Sequence, residues 1–294
     1  MSLYDDIVLT RNRALSRSYA KINLSLDVLG KLPNGYHEAK MIMQSVNLSD
    51  IIVVDKAPFG IHISTNCKFL PNNEKNIAYK ATQVFFEHTG IKAGAKILIH
   101  KNIPVAAGLA GGSGNAAAVL CSLNLLFDMP LSEQEFFDIA FSLGADVPYC
   151  VKGGLCLAEG IGEKLTPIGK IPKFHALLVK PQVSISTASV YKKIDSAENL
   201  RHPDTELILS GINAGDYDLM FKNMGNVMQD ITSKICPDIN NIISRLYEHN
   251  AKVAMMSGSG PTVFGLFDDY GNAKTAFDYF SQQYSETFLT KLID

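Results

Sequence analysis

The sequence has no CxxC pair, no HExxH pair, and no arrangement of its five cysteines and seven histidines at zinc-ligand spacing. A metal held by a dedicated protein cage is therefore not expected. Cys67, Cys121, Cys150, Cys156 and Cys236 read as reduced thiols. A basic excess is also missing: 27 Lys and Arg stand against 29 Asp and Glu, without a Lys/Arg-rich stripe, which excludes nucleic acid as the expected partner. No window approaches the ~18 consecutive apolar residues needed to cross a bilayer. Asp5 and Asp6 lie where a secretory signal would be basic. Internal repeats and low-complexity tracts are absent too. These absences point to a cytoplasmic chain that handles a small molecule, with no nucleic acid and no membrane among its partners; a monomer or weak homodimer is the accompanying expectation.

What remains is globular: 47% of the residues are hydrophobic, enough for a real core. Residues 18–31 alternate, with Ala20, Ile22, Leu24, Leu26 and Val28 on one face and Lys21, Asn23, Ser25 and Asp27 on the other. The pattern predicts a half-buried strand whose solvated face carries Lys21 and Asn23 side by side. A turn follows at 33–37. Strands are expected at 51–55, 61–64, 95–101, 153–159, 176–179, 252–257 and 262–267. Helices are expected at 76–90, 116–127, 131–143, 187–193, 204–213, 237–250 and 272–283. Ser132, with Glu135 three residues on, marks a capping box. Strands and helices alternate without a regular βαβ series, so the fold class is α+β, two-layered, with two lobes. Residues 1–16 read as an N-terminal leader, 17–160 as an N-terminal domain and 161–294 as a C-terminal domain.

The segment from Pro104 to Asn115 holds Gly108, Gly111, Gly112 and Gly114 directly before a helical run. A glycine turn at a helix start offers free backbone N–H groups and the positive end of the helix dipole. Without a Cβ, that backbone can approach a phosphate closely. A Walker A loop would need Lys after its last glycine, but Gly114 is followed by Asn115. The Rossmann spacing fails as well. Glycines alone serve equally well to let a helix pack closely, so the accompanying motifs decide.

Those motifs are Tyr19-Ala-Lys-Ile-Asn-Leu24, the glycine loop itself, and Ser257-Gly-Ser-Gly-Pro-Thr262. Together they resemble the three motifs of the GHMP kinase superfamily, and the likeness runs from about Ser18 to the C-terminus. Leu32-Pro-Asn-Gly-Tyr-His37, Gly144-Ala-Asp-Val-Pro148 and Pro181-Gln-Val-Ser-Ile-Ser-Thr187 are similar to the branch whose acceptor is the 2-hydroxyl of 4-diphosphocytidyl-2-C-methyl-D-erythritol. The resemblance implies a two-lobed GHMP fold with its active site in the cleft between lobes. It implies ATP as co-substrate, Mg²⁺ carried with ATP, no metal ligands from the protein, and a small-molecule substrate bearing a cytidine diphosphate group. By the same match Asp146 is the catalytic base, assisted by Lys21. Pro104, Gly108, Leu109, Ala110, Gly111, Gly112, Ser113, Gly114 and Asn115 wrap the ATP phosphates. Asn23, Tyr36, His37, Thr187 and Tyr191 hold the substrate, the two tyrosines packing on cytosine from different lobes and His37 reading its edge. The family usually has Ser or Thr where this chain has Gly114. Other GHMP kinases of the mevalonate, homoserine or sugar type, and a non-catalytic nucleotide-binding protein, are the competing expectations.

Overall fold

The computed structural model describes residues 3–197 and 199–294. Its contacts divide the chain into two units. The first comprises the chain up to Ala20, Leu48–Val105 and Ala110–Gly153; the second comprises Lys21–Asn47, Ala106–Leu109 and Gly154–Asp294. After a 3-10 turn at Leu3–Asp6, strand β1 (Val8–Leu9) pairs antiparallel with β2 (Arg13–Lys31), setting Val8 opposite Leu15. Leu3 is buried, so residues 3–16, set aside as a leader, contribute both a strand and a core side chain. Strand β3 (His37–Ala57) follows, and both β2 and β3 contribute to both units.

In the first unit, β4 (Ile61–Thr65) runs parallel to β5 (Gly94–His100), and β5 pairs antiparallel with the end of β3, from Ile51 opposite His100 to Ala57 opposite Gly94. Alternation puts Ile52, Val54, Ile97 and Ile99 on the buried face. That face packs in one core with helices α1 (Ile77–Thr89) and α2 (Gly111–Leu126). Asn76 caps α1 by accepting from the Ala78 N–H, and Gly90 ends it in the left-handed region. α3 (Glu133–Leu143) starts on the expected capping box of Ser132 and Glu135. α4 (Val147–Lys152) carries Pro148 in its first turn, where a missing N–H costs nothing.

In the second unit, Met41–Gln44 of β3 pair with β6 (Leu155–Glu159), which pairs in turn with β7 (Lys164–Pro167). A separate antiparallel sheet includes β8 (His175–Lys180). Helices α5 (Thr187–Ile194), α6 (Thr205–Ala214) and α7 (Tyr217–Asn223) come next, then the short strand β9 (Gly225–Asn226), helix α8 (Gln229–Ile235) and helix α9 (Asp238–Glu248). With β10 (Val253–Met256), β11 (Val263–Phe267), helix α10 (Tyr270–Phe280) and β12 (Glu286–Lys291), the separate sheet has the order β10-β11-β8-β12. Ile239, Ile242 and Leu246, at helical spacing, bury one face of α9 against β10 and β11. Helices α7 and α8 and strand β12 were not expected: the two helices are each a seven-residue element, too short for a periodic signal.

Two further expectations of local structure need correction. The polar face of β2 is not solvated, because Lys21, Asn23, Ser25 and Asp27 are all buried. Within the second unit, Asn23 faces Met41, Ser25 meets Thr205, and Asp27 pairs with His202. The helix expected from Ala116 starts at Gly111, so three of the loop glycines lie in its first turn. Glycine costs a helix about 1 kcal/mol per residue. Close packing explains two of them: a Cβ on Gly111 would stand 2.7 Å from Lys101 Nζ, and one on Gly114 would stand 2.4 Å from Ser18 Oγ.

Candidate active site

Helix α2 opens without a side-chain cap; its N-cap residue, Ala110, is itself left-handed at φ 55°. The first helical hydrogen bond runs from the Gly114 N–H to the Ala110 carbonyl at 2.8 Å. The N–H groups of Gly111, Gly112 and Ser113 thus precede the first helical donor, the Gly114 N–H, and have no acceptor within the helix. They point out of the positive end of a sixteen-residue helix. Gly112 is exposed and a Cβ there would meet nothing nearer than Ile77 Cγ2 at 3.8 Å, so packing does not require glycine at this position. Beneath this turn lies a buried network. Asp50 of β3 accepts from the backbone N–H groups of Asn102 and Ile103 at 2.7 and 2.8 Å, and from Lys101 Nζ at 2.5 Å. With the Asn115 amide oriented so that its nitrogen faces the neighbouring acceptors, that nitrogen donates to Asp50 Oδ2 at 2.7 Å and to the Gly111 carbonyl at 2.6 Å. Asn115 is therefore turned inward. Burial pushes the Asp50 carboxyl up, against Lys101 and the two N–H groups, and pushes the Lys101 ammonium down.

In the second unit, Gly108 meets the second glycine loop. Its φ is +75°, and a Cβ would lie 2.2 Å from the Ser257 carbonyl oxygen, so only glycine fits. Ser257 Oγ donates to the Gly108 carbonyl at 3.0 Å, and the Lys21 N–H donates to the Leu109 carbonyl at 3.2 Å. Lys21 Nζ donates to Asn23 Oδ1 at 2.6 Å and lies 3.3 Å from where a Gly258 Cβ would stand. Asn226 gives both amide hydrogens to the carbonyls of Met256 and Gly258, each at 2.8 Å, which shapes that loop. Thr187 at the start of α5 shares a 2.8 Å hydrogen bond with Ser259. Pro104 and Leu109 are buried and anchor the first loop.

Tyr36, His37 and Tyr191 all belong to the second unit, so the two tyrosines do not come from different parts as expected. The Asn34 side chain accepts from the Tyr36 N–H at 3.0 Å in a tight turn, leaving the Tyr36 ring 60% exposed. The His37 ring stacks on Tyr191, centroids 4.8 Å apart and planes 25° apart. His37 Nε2 lies 2.5 Å from Asp195 Oδ1, and Lys31 Nζ donates to Asp195 Oδ2 at 2.6 Å. Hydrogen bonds from His37 and Lys31 hold the Asp195 carboxyl below its ordinary range.

Residues 76–154 match the model for the GHMP kinase N-terminal domain, and residues 208–286 match that for the GHMP kinase C-terminal domain. The chain is 46% identical to the 4-diphosphocytidyl-2-C-methyl-D-erythritol kinase of Alkaliphilus metalliredigens over 94% of its length and 95% of the relative's. Against the kinase of the same name from Clostridium botulinum it is 44% identical, covering 94% and 99%. A crystal structure of 4-(cytidine 5'-diphospho)-2C-methyl-D-erythritol kinase superposes with a TM-score of 0.81 at 28% identity, covering 95% and 99% of the two chains. The chain belongs to the 4-diphosphocytidyl-2-C-methyl-D-erythritol kinase family. As a GHMP kinase it is an ATP-dependent phosphotransferase of isoprenoid biosynthesis.

For a kinase of this family the first turn of α2 and the second glycine loop are the features to explain, and both were visible as glycine clusters. Asp146 stands at the N-cap of α4 with no capping hydrogen bond from its side chain. Asp50, Lys101 and Asn226 escaped sequence reading, because single polar residues inside strands carry no pattern. Among the described residues no cluster of three His, Cys, Asp or Glu side chains could hold a metal, and no helix is long and apolar enough to cross a membrane.

Proposed function

We propose that this kinase transfers the γ-phosphoryl group of ATP to the 2-hydroxyl of 4-diphosphocytidyl-2-C-methyl-D-erythritol, giving the 2-phosphate and ADP, in the cytoplasm. The observation that carries the phosphate half of the reading is the first turn of α2, with its N–H groups of Gly111, Gly112 and Ser113 and an exposed glycine. The likeness to kinases of 4-diphosphocytidyl-2-C-methyl-D-erythritol supports the choice of acceptor. Phosphoryl transfer passes through a loose transition state, so the protein's work is alignment and charge stabilisation. A carboxylate is too weak a base to deprotonate an alcohol in advance. Asp146 orients the hydroxyl and accepts its proton late, once bond formation to phosphorus has made it acidic. Lys21 contributes positive charge for the γ-phosphoryl oxygens, and Asn23 fixes its direction through the 2.6 Å contact.

Mg²⁺ prefers hard oxygen ligands and keeps several waters. The half-buried hydroxyl of Ser113 is an oxygen donor of that kind at the phosphate end of α2, which fits an ion held chiefly by ATP oxygens and water. Such an ion supplies charge neutralisation. Tyr191 and the exposed Tyr36 offer ring faces to cytosine, and His37 offers its edge. Thr187 holds the start of α5 on the second glycine loop.

The test is ATP consumption by the purified protein with the diphosphocytidyl alcohol, the free methylerythritol, mevalonate and homoserine. Turnover is expected with the first alone. Turnover of mevalonate or homoserine instead would return the chain to the wider superfamily.

A further inference from the structure

The loop between β5 and α2 is tied at both ends to one buried carboxylate. Asp50 has no exposed surface, and the side chain of its partner Lys101 is 6% exposed. Asp50 Oδ1 takes the backbone N–H groups of Asn102 and Ile103, where the chain leaves β5. Asp50 Oδ2 takes Lys101 Nζ and the Asn115 amide, and that amide also holds the Gly111 carbonyl in the first turn of α2. Lys101 Nζ lies against Gly111, 2.7 Å from where a Cβ would stand. Stability alone does not call for this arrangement. Desolvating two charges can outweigh their attraction, and an apolar pair of similar volume is often as stable. What an apolar pair cannot do is accept the two backbone N–H groups and fix their distance from the helix start.

We propose that Asp50 is a positioning residue for ATP. Through Lys101 and Asn115 it sets the spacing between Asn102–Ile103 and the first turn of α2, so that the N–H groups of Gly111, Gly112 and Ser113 stand where a polyphosphate needs them. Asp50 itself does not touch the nucleotide. The inference rests on the reading that this turn binds phosphates.

The experiment compares wild type, Asp50→Asn, Asn115→Ala and the double variant Asp50→Asn/Lys101→Met by steady-state kinetics and by calorimetry with a non-hydrolysable ATP analogue. Amide hydrogen exchange over residues 102–113 is followed in parallel. A misplacement near 1 Å can cost about a hundredfold. The KM for ATP and the Kd for the analogue are expected to rise about tenfold or more in each variant, with the KM for the alcohol within about twofold. Exchange should accelerate at 102–113 while the rest of the chain keeps its protection. If Asp50→Asn fails to fold, Asn115→Ala decides, because it cuts the tie to α2 and leaves the ion pair in place. A folded variant with unchanged ATP affinity overturns the proposal, as does an equal rise in both KM values. A wild type that turns over yet does not bind the analogue would instead overturn the phosphate reading, and the proposal with it.

Discussion

The loop glycines look equivalent in the sequence, and their neighbours separate them. A Cβ on Gly111 would collide with Lys101 Nζ at 2.7 Å and touch Ile103 Cγ2 at 3.0 Å, whereas one on Gly112 would find ordinary contact at 3.8 Å. Gly111→Ala should therefore lower stability. Gly112→Ala should leave it unchanged or raise it by up to about 1 kcal/mol through helix propensity, while weakening ATP binding. Urea melts and analogue calorimetry on the same samples check both halves; undiminished binding in Gly112→Ala would leave that glycine without a role. Gly114 differs again. Serine or threonine is usual there in the family, yet a Cβ at this position would lie 2.4 Å from Ser18 Oγ. Ser18 can turn its short side chain away, so Gly114→Ser should destabilise modestly, and Ser18→Ala should relieve it. A double-mutant cycle should show coupling of roughly 0.5–3 kcal/mol, the range for residues in contact. Strict additivity would mean the two positions ignore each other.

At the scale of elements, capping is where sequence and structure agree in detail. Ser132 and Glu135 form the capping box of α3, with the Ser132 N–H donating to Glu135 Oε2 at 2.9 Å. Hydrogen bonds from the Ser132 hydroxyl and N–H, with a smaller contribution from His88, lower the Glu135 pKa from 4.5 to about 2. A depressed carboxyl stabilises the fold above its unfolded pKa and loses that contribution as pH falls toward its folded value. The Tm of wild type should therefore exceed that of Glu135→Gln at neutral pH, and the gap should close progressively below about pH 4.5. A gap independent of pH would assign the cap to shape rather than charge. Helix α2 shows the opposite balance. Its first turn is poor in helix propensity, and burial of Ala116, Val119, Leu120 and Leu123 in the core holds it in place.

At the scale of the molecule, residues far apart in the chain meet within the second unit. Tyr191 reaches His37, and Asp195 gathers His37 and Lys31. Stacking of one base on an aromatic ring is worth about 1–3 kcal/mol. Tyr191→Ala should accordingly raise the KM for the cytidine substrate about tenfold and leave the KM for ATP within about twofold. Kinetics with the cytidine and uridine forms of the substrate provide the readout. A loss confined to ATP would remove Tyr191 from the base site.

The fold class, most helices, the capping box of α3, the two glycine loops and the family were legible in the sequence, because these are written in local pattern and short motifs. The sequence also singled out Lys21, Asn23, His37, Asp146 and Tyr191 through the family resemblance. It did not show that the polar face of β2 is buried, since alternation reports two faces and not what covers the second. It did not show where α2 begins, because glycine propensity opposes a helix that packing imposes. Nor did it show Asp50 and Lys101 under the first turn of α2. An isolated aspartate in a strand is uninformative until the tertiary structure supplies two backbone N–H groups, an ammonium and an amide around it. That convergence, from β3, the residues just after β5, and α2, is a property of the folded chain alone.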